Sequence, residues 1–235
     1  MQEEVSKHTK KIYNAAKNPK HSFGEKAKEI GIEIAIIVFA VTLSISLHGW
    51  SEHRHQQEEV KTFLVNLKAD LTKDIDNLNS EKESYLKINK EYDFLSNITT
   101  FQLDSVAKTG KQMAFPIHTT GRKTNDGNYE SFKSSGKLSY VENEKLKQLF
   151  VKYYQQSVPN MNDIDKLYTD FIVKMIDVTI DNAGQSDKEL YTNPKFRKTL
   201  SYIIMLGSNN ARVYNDYGIK EAKEIIKEID KELKK

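Results

Sequence analysis

The residues best placed to do chemistry lie in one short segment, residues 129–138, which reads YESFKSSGKL. Ser134, Ser135 and Gly136 could present backbone N–H groups to an anion, with Lys133 and Lys137 on either side. The same letters also describe an ordinary helix C-terminus, in which Gly136 takes a positive φ and Tyr129 packs into the core. The candidate interaction box comprises Tyr129, Lys133, Ser134, Ser135, Gly136 and Lys137.

Other groups of residues that could bind a metal or catalyse a reaction give weaker signals. His48, Glu52 and His55 fall on one face of a helix and could hold zinc, but a solvated helix face is the interpretation we adopt. The chain has no cysteine, which excludes disulfides, iron–sulfur clusters and a cysteine nucleophile. It also lacks the G-x-S-x-G, H-E-x-x-H and G-x-G-x-x-G motifs. We therefore expect no metal, no cofactor and no enzymatic activity.

A long apolar run indicates a membrane span. Residues 30–47 read IGIEIAIIVFAVTLSISL, with Glu33 as the one charge, and 18 helical residues span about 27 Å. Trp50 lies where an interfacial aromatic anchor is expected, so residues 30–50 are predicted to cross the bilayer. A buried core helix and a cleaved signal peptide are the alternatives. Glu33 is expected either to reach the headgroups or become protonated, or to contact a partner helix.

Charge around this run predicts the orientation. Residues 10–29 hold six lysines, whereas residues 51–70 hold three basic residues. The bias predicts a cytoplasmic segment at 1–29, and a periplasmic domain at 51–235 of a bacterial inner-membrane protein. Residues 1–29 carry seven Lys and four Glu, and could lie on anionic lipid. The net charge of the whole chain, +3, gives no indication of a nucleic-acid partner.

The remaining sequence reads as helices. Ten Gly and four Pro in 235 residues argue against a many-turned β-fold. Apolar residues recur every three or four positions from Val60 to Leu95, predicting one stem helix that runs to about Ser96. Residues 97–128 break this pattern and predict an irregular insertion, which contains a short helix at Thr100–Lys108 with Thr99 or Thr100 as its cap. Ser186–Glu189 fits a capping box over a short turn, and further helices are expected to stop at Pro159 and to start at Asn193-Pro194. The fold class is all-α, with the membrane helix continuing into an antiparallel bundle of about four helices.

Three stretches resemble a known family. Glu33-Ile34 precedes the apolar run, which leads into WSEHR at residues 50–54 and FLVNLKADLTKDI at 63–75. The second stretch is YESFKSSGKL, and the third is FRKTLSY at residues 196–202. These resemble the E-I…N-N-W-N-E-x-R span, the Y-E-x-L-K-S-S-G-x-L box and the F-R-x-x-L-S-Y stretch of small single-span membrane proteins, chiefly of Bacteroidota. In this chain His48-Gly49 replaces the Asn pair before Trp50, and Ser51 replaces the next Asn. That family is a domain of unknown function, so the resemblance implies topology and lineage but no activity.

Three functions are compatible with the sequence. The leading hypothesis is a non-enzymatic accessory or scaffold protein whose outer domain contacts a protein partner or a second copy. The second is a small-molecule sensor that signals through a partner. Its ligand site would be lined by Tyr153, Tyr154, Tyr168, Tyr202 and Tyr214. The third is an enzyme of a type that the sequence does not reveal.

Overall fold

A computed structural model describes residues 2–17, 22–111 and 113–234. Helices make up 85% of it and the described residues contain no strand, so the predicted all-α class is confirmed. The chain divides into two compact units, Met1–Glu59 and Val60–Lys235. Each is described by itself below.

The first unit contains helix α1, Gln2–Lys17, and the beginning of α2, Phe23–Asn97. The predicted end of the long helix near Ser96 is therefore confirmed. Within the described residues, α2 is the one helix long and apolar enough to cross a membrane, judged by length and composition. Its apolar window is not buried at all inside the protein, and Phe39, for example, is 67% exposed. A helix from a soluble core would instead bury an apolar face.

The described residues of the second unit hold the rest of α2 and seven further α-helices. Two of them flank the irregular stretch, α3 (Thr100–Ala107) and α4 (Gly127–Ser134). The others are α5 (Glu144–Lys152), α6 (Val158–Asp181), α7 (Asp187–Thr192), α8 (Pro194–Val213) and α9 (Lys220–Glu232). Two π-helical turns, Tyr153–Ser157 and Tyr214–Ile219, join α5 to α6 and α8 to α9.

The continuous run through α5 and α6 corrects the predicted helix end at Pro159. Proline lacks a backbone N–H, so it normally interrupts the i to i−4 ladder. Here the N–H of Val158 donates to the carbonyl of Tyr153, five residues earlier, and Pro159 lies in the first turn of α6. The π-turn shifts the backbone hydrogen bonds from i−4 to i−5 one residue before Pro159, and the helix continues through the proline. Two of the predicted bundle helices are therefore one.

Three long helical runs form the core of this unit, and α8–α9 runs antiparallel to α2. Lys68 near the start of that part of α2 pairs with Asp230 in α9. Asn89, farther along α2, donates to the carbonyl of Ile204 in α8 at 3.0 Å.

The run α5–α6 is parallel to α2, so the predicted antiparallel arrangement holds for α8–α9 but not for this pair. Phe63 contacts Phe150 edge-to-face with ring centroids 5.7 Å apart, and Tyr85 contacts Tyr168 in the same way at 4.8 Å. Two parallel helices cannot be joined by a short turn, because the chain must return along their whole length. Residues 98–143 provide that return.

Several predicted helix ends are confirmed. Thr99 and Ser186 each form a capping box, and Asn193 caps α8 by accepting from the N–H groups of Lys195 and Phe196. These caps satisfy N–H groups that a helix start otherwise leaves unpaired, which is why short polar residues at these positions are informative.

Candidate functional site

The irregular insertion is an ordered, extended strap along the bundle. We define the strap as residues 113–126, which follow α3 and precede α4. Its contacts run in opposite order to those of α2: Pro116 with Tyr92, His118 with Tyr85, Gly121 with Glu81, and Asn125 with Asp74. The nine steps from Pro116 to Asn125 cover about 30 Å when the chain is fully extended. The 18 helical residues from Tyr92 to Asp74 that they contact rise about 27 Å. The strap is therefore nearly fully extended.

The centre of the strap is fixed by a buried ion pair. The Arg122 Nε donates to Asp165 Oδ2 of α6 at 3.1 Å, and the two side chains are only 3% and 10% exposed. The Arg122 guanidinium also donates to Thr124 Oγ1 at 2.8 Å and to Asn162 Oδ1. A buried guanidinium needs this many acceptors, because each unsatisfied charged N–H would be costly.

Asp165 is the centre of a polar network that joins the three helical runs. The hydroxyls of Tyr214 and Tyr85 both donate to Asp165 Oδ1, the second at 3.4 Å. Asn210 Nδ2 in turn donates to the Tyr85 hydroxyl at 3.1 Å. Burial raises the pKa of Asp165 above the usual carboxyl value, although these tyrosines and Arg122 act against it.

A second buried carboxyl holds the end of the strap. Asp74 Oδ1 accepts from the backbone N–H of Asn125 at 2.9 Å and from its side-chain amide at 2.7 Å. Asp74 is 3% exposed, and its Oδ2 atom has no hydrogen-bond partner among the described residues. Burial raises the pKa of Asp74 for the same reason as that of Asp165.

The candidate interaction box lies on α4 and the turn that follows it. Gly136 takes φ = +72°, as the helix C-terminus interpretation predicts. The backbone N–H groups of Ser135 and Gly136 donate to the carbonyls of Ser131 and Lys133, at 3.1 and 3.0 Å. These N–H groups are therefore not presented to an anion.

The side chains of the box contact neighbouring residues of α4 and of the bundle. Lys133 pairs with Glu130 at 3.2 Å, and Ser134 Oγ donates to the carbonyl of Glu130 at 2.6 Å. Tyr129 is fully buried and stacks on Tyr154, with ring centroids 4.4 Å apart. Lys137 begins the 3₁₀ turn Lys137–Tyr140. The box thus anchors α4 on the bundle, and a role in partner contact stays a prediction.

The two residues predicted to act at the membrane, Glu33 and Trp50, have different surroundings. Glu33 pairs with His8 of α1 and lies 3.4 Å from the Lys11 ammonium. Trp50 is 64% exposed. The structure therefore gives Glu33 partners within the chain. The sequence had suggested that Glu33 reaches the headgroups, becomes protonated or contacts a partner helix.

The tyrosines proposed to line a sensor site are mostly part of the core. Tyr153, Tyr154, Tyr168 and Tyr214 are each no more than 6% exposed, while Tyr202 is 44% exposed. Their rings pack on neighbouring aromatic rings, such as Tyr168 against Tyr85.

Sequence reasoning missed the strap network. Asp165 lies four residues after Met161 and three before Tyr168, and both neighbours are fully buried. Asp74 likewise lies three residues after Leu71 in the core stripe of α2. A carboxylate in register with core positions was the available signal, because such a residue is buried only when it is partnered. The partner on the strap, Arg122, left no such signal.

Comparison with known proteins gives one match. A family model described as a family of unknown function, DUF6090, matches residues 33–178, from the apolar part of α2 to the end of the buried stripe in α6. This confirms the expectation of a family of unknown function. No curated protein and no solved structure matches the chain.

Proposed function

This chain belongs to the DUF6090 family of unknown function, and we propose that it is a non-enzymatic, single-pass protein of a bacterial inner membrane. Residues 30–50 would cross the bilayer, residues 1–29 would lie in the cytoplasm and residues 51–235 in the periplasm. The outer domain would act as an accessory or scaffold subunit by contacting a partner protein or a second copy.

The observation that carries this proposal is the exposed apolar window of α2. No residue of that window is buried inside the protein, although it is apolar enough to span a bilayer. Leaving so much apolar surface in water would be unfavourable at about 25 cal/mol per Å². A lipid environment removes that cost.

The contact role is supported by exposed apolar side chains on two neighbouring helices. Val173 and Ile180 of α6 are 50% and 63% exposed, and Met205 of α8 is 56% exposed. Val173 and Ile180 are seven residues apart and therefore lie along one face of α6, where a partner could cover them. The long, continuous helices would hold such a surface rigidly.

Topology can be tested directly because the chain has no native cysteine. Single-cysteine variants Lys7→Cys and Lys227→Cys each place one thiol at an exposed position. In intact cells, a maleimide that crosses the outer but not the inner membrane should label only the second. Labelling of both or of Lys7→Cys alone contradicts the orientation, and recovery of the protein in the soluble fraction contradicts the anchor.

Association can be tested by mild solubilisation, crosslinking and native mass measurement of the full chain. We expect a defined partner or a stable oligomer. The double variant Val173→Ser/Met205→Ser should weaken that assembly, whereas Leu86→Ser, a matched change at a 42% exposed position of α2, should not. A monodisperse monomer without a partner would contradict the proposal.

A further inference from the structure

The strap covers a set of buried aromatic hydroxyls. Tyr85, Tyr92 and Tyr168 are all fully buried. The hydroxyl of Tyr92 donates to the carbonyl of Pro116 at 2.8 Å, and the Phe115 ring stacks on Tyr92 with centroids 5.3 Å apart. Lifting the strap would therefore expose this part of the groove between α2 and α6.

His118 lies at the middle of this cover. Its ring contacts Tyr85 at a centroid distance of 5.1 Å and Tyr168 at 5.9 Å, both edge-to-face. The Nδ1 atom of His118 is buried and has no hydrogen-bond partner among the described residues. A neutral imidazole protonated on Nε2 can leave Nδ1 as a bare acceptor, but an imidazolium needs an acceptor for both N–H groups.

We infer that the strap is a proton-sensitive latch, which is closed over the groove at neutral pH and released when His118 is protonated. The charged ring would have a buried N–H without an acceptor, which is unfavourable while the strap is closed. Once the strap lifts, water can solvate both nitrogens. Burial lowers the pKa of His118, as expected if the closed state disfavours the charged form.

Other charged and titratable groups surround His118. They are Glu81, Tyr85 and Tyr92 of α2, Asp165 and Tyr168 of α6, Tyr214 of the second π-turn, and Arg122 of the strap. Glu81 acts to raise the pKa of His118, against the larger effect of burial. Asp165 pairs with Arg122 of the strap at 3.1 Å, and burial raises the pKa of Asp165 whereas Arg122 acts to lower it, so the effects of acid on this pair oppose each other. Glu81 accepts from the strap N–H of Gly121 at 3.3 Å, so the His118 variants are needed to separate release by the histidine from release by Glu81.

This inference deepens the proposed function, because release would change the surface that the outer domain offers to a partner. Its test is independent of membrane orientation. Hydrogen exchange of the full chain in detergent micelles is followed from pH 7.5 to 5.0 and corrected for the intrinsic pH dependence of exchange. Residues 113–126 report the strap, and residues 196–213 report the bundle.

We expect strap amides to lose protection progressively as the pH falls, by up to about tenfold for each pH unit below the pKa that His118 has when the strap is open. The bundle amides should keep theirs. His118→Asn should abolish the response, and His55→Asn, a matched change at an exposed histidine, should retain it. His118→Gln serves as a second variant if circular dichroism shows that His118→Asn is unfolded.

Three results would overturn the latch. The first is a wild-type strap whose protection does not change with pH. The second is an unchanged response in folded His118 variants, which would assign it to another group. The third is equal loss in the strap and the bundle, which would indicate acid unfolding. A chain that fails the topology test could still pass this one, so the two proposals fail separately.

Discussion

The buried ion pair between the strap and α6 predicts a large and specific loss of stability. Asp165→Asn keeps the side-chain shape but leaves the Arg122 guanidinium, 3% exposed, without its counter-charge. Removing one partner of a buried pair typically costs about 3–5 kcal/mol. For a chain of this size, each kcal/mol lowers the melting temperature by about 2–4 °C, so we expect a drop of about 6–20 °C.

Arg122→Met should cost less than Asp165→Asn. Asp165 would still accept from two tyrosine hydroxyls, and its raised pKa shows that it can take up a proton where it lies. The double variant should lose less stability than the sum of the single variants, because neither charge is left unpaired.

Thermal unfolding of the full chain in detergent, followed by circular dichroism, measures these effects. Asp170→Asn is the matched control, because it changes an exposed carboxylate on the same helix and should stay within about 0.5 kcal/mol of wild type. Melting of Asp165→Asn at the temperature of the control, or simple addition of the two single losses, would contradict the stabilising role of the buried pair.

Three further predictions concern single positions. Gly207→Ala should lower the free energy of unfolding in urea by about 1–3 kcal/mol, because its Cβ would lie 2.7 Å from Asn89 Oδ1. Gly127→Ala is the control, since a Cβ there meets nothing within 4 Å, and equal losses would contradict the packing. Gly136→Ala should cost about 1–2 kcal/mol in the same assay because φ is +72°, and a neutral result would contradict that backbone geometry. Because burial raises the pKa of Asp74, the free energy of unfolding should fall as the pH rises through that pKa. Asp74→Asn should remove this pH dependence from a series of urea titrations, and an unchanged dependence would mean that another group causes it.

Local sequence signals predicted the helices well. Caps at Thr99, Ser186 and Asn193 depend on atoms a few residues apart, so the sequence alone specifies them. The positive φ of Gly136 is equally local. Pro159 misled the prediction because the π-turn before it takes up the change in hydrogen bonding, and no residue type in Tyr153–Ser157 announces such a turn.

The contacts of the strap could not be predicted from local sequence signals, because they join residues that are far apart in the chain. Arg122 and Asp165 are 43 residues apart, and their pairing depends on two helices lying parallel with a groove between them. The helical direction itself follows from contacts such as that of Tyr85 with Tyr168, 83 residues apart. Composition describes residues 97–128 as polar and rich in turn formers, which fits a free loop as well as it fits an extended strap.

The two π-turns give the bundle a tolerance to changes in chain length. Each turn closes a five-residue hydrogen-bonded step, so it contains one residue more than a regular turn while the side chains before and after it stay on the core face. Deleting Gln156, whose side chain is exposed, would convert the first turn into regular helix and leave α6 facing the core. The same deletion in the middle of α6 would rotate every later side chain by about 100°. Insertions and deletions among related chains should therefore gather at these turns.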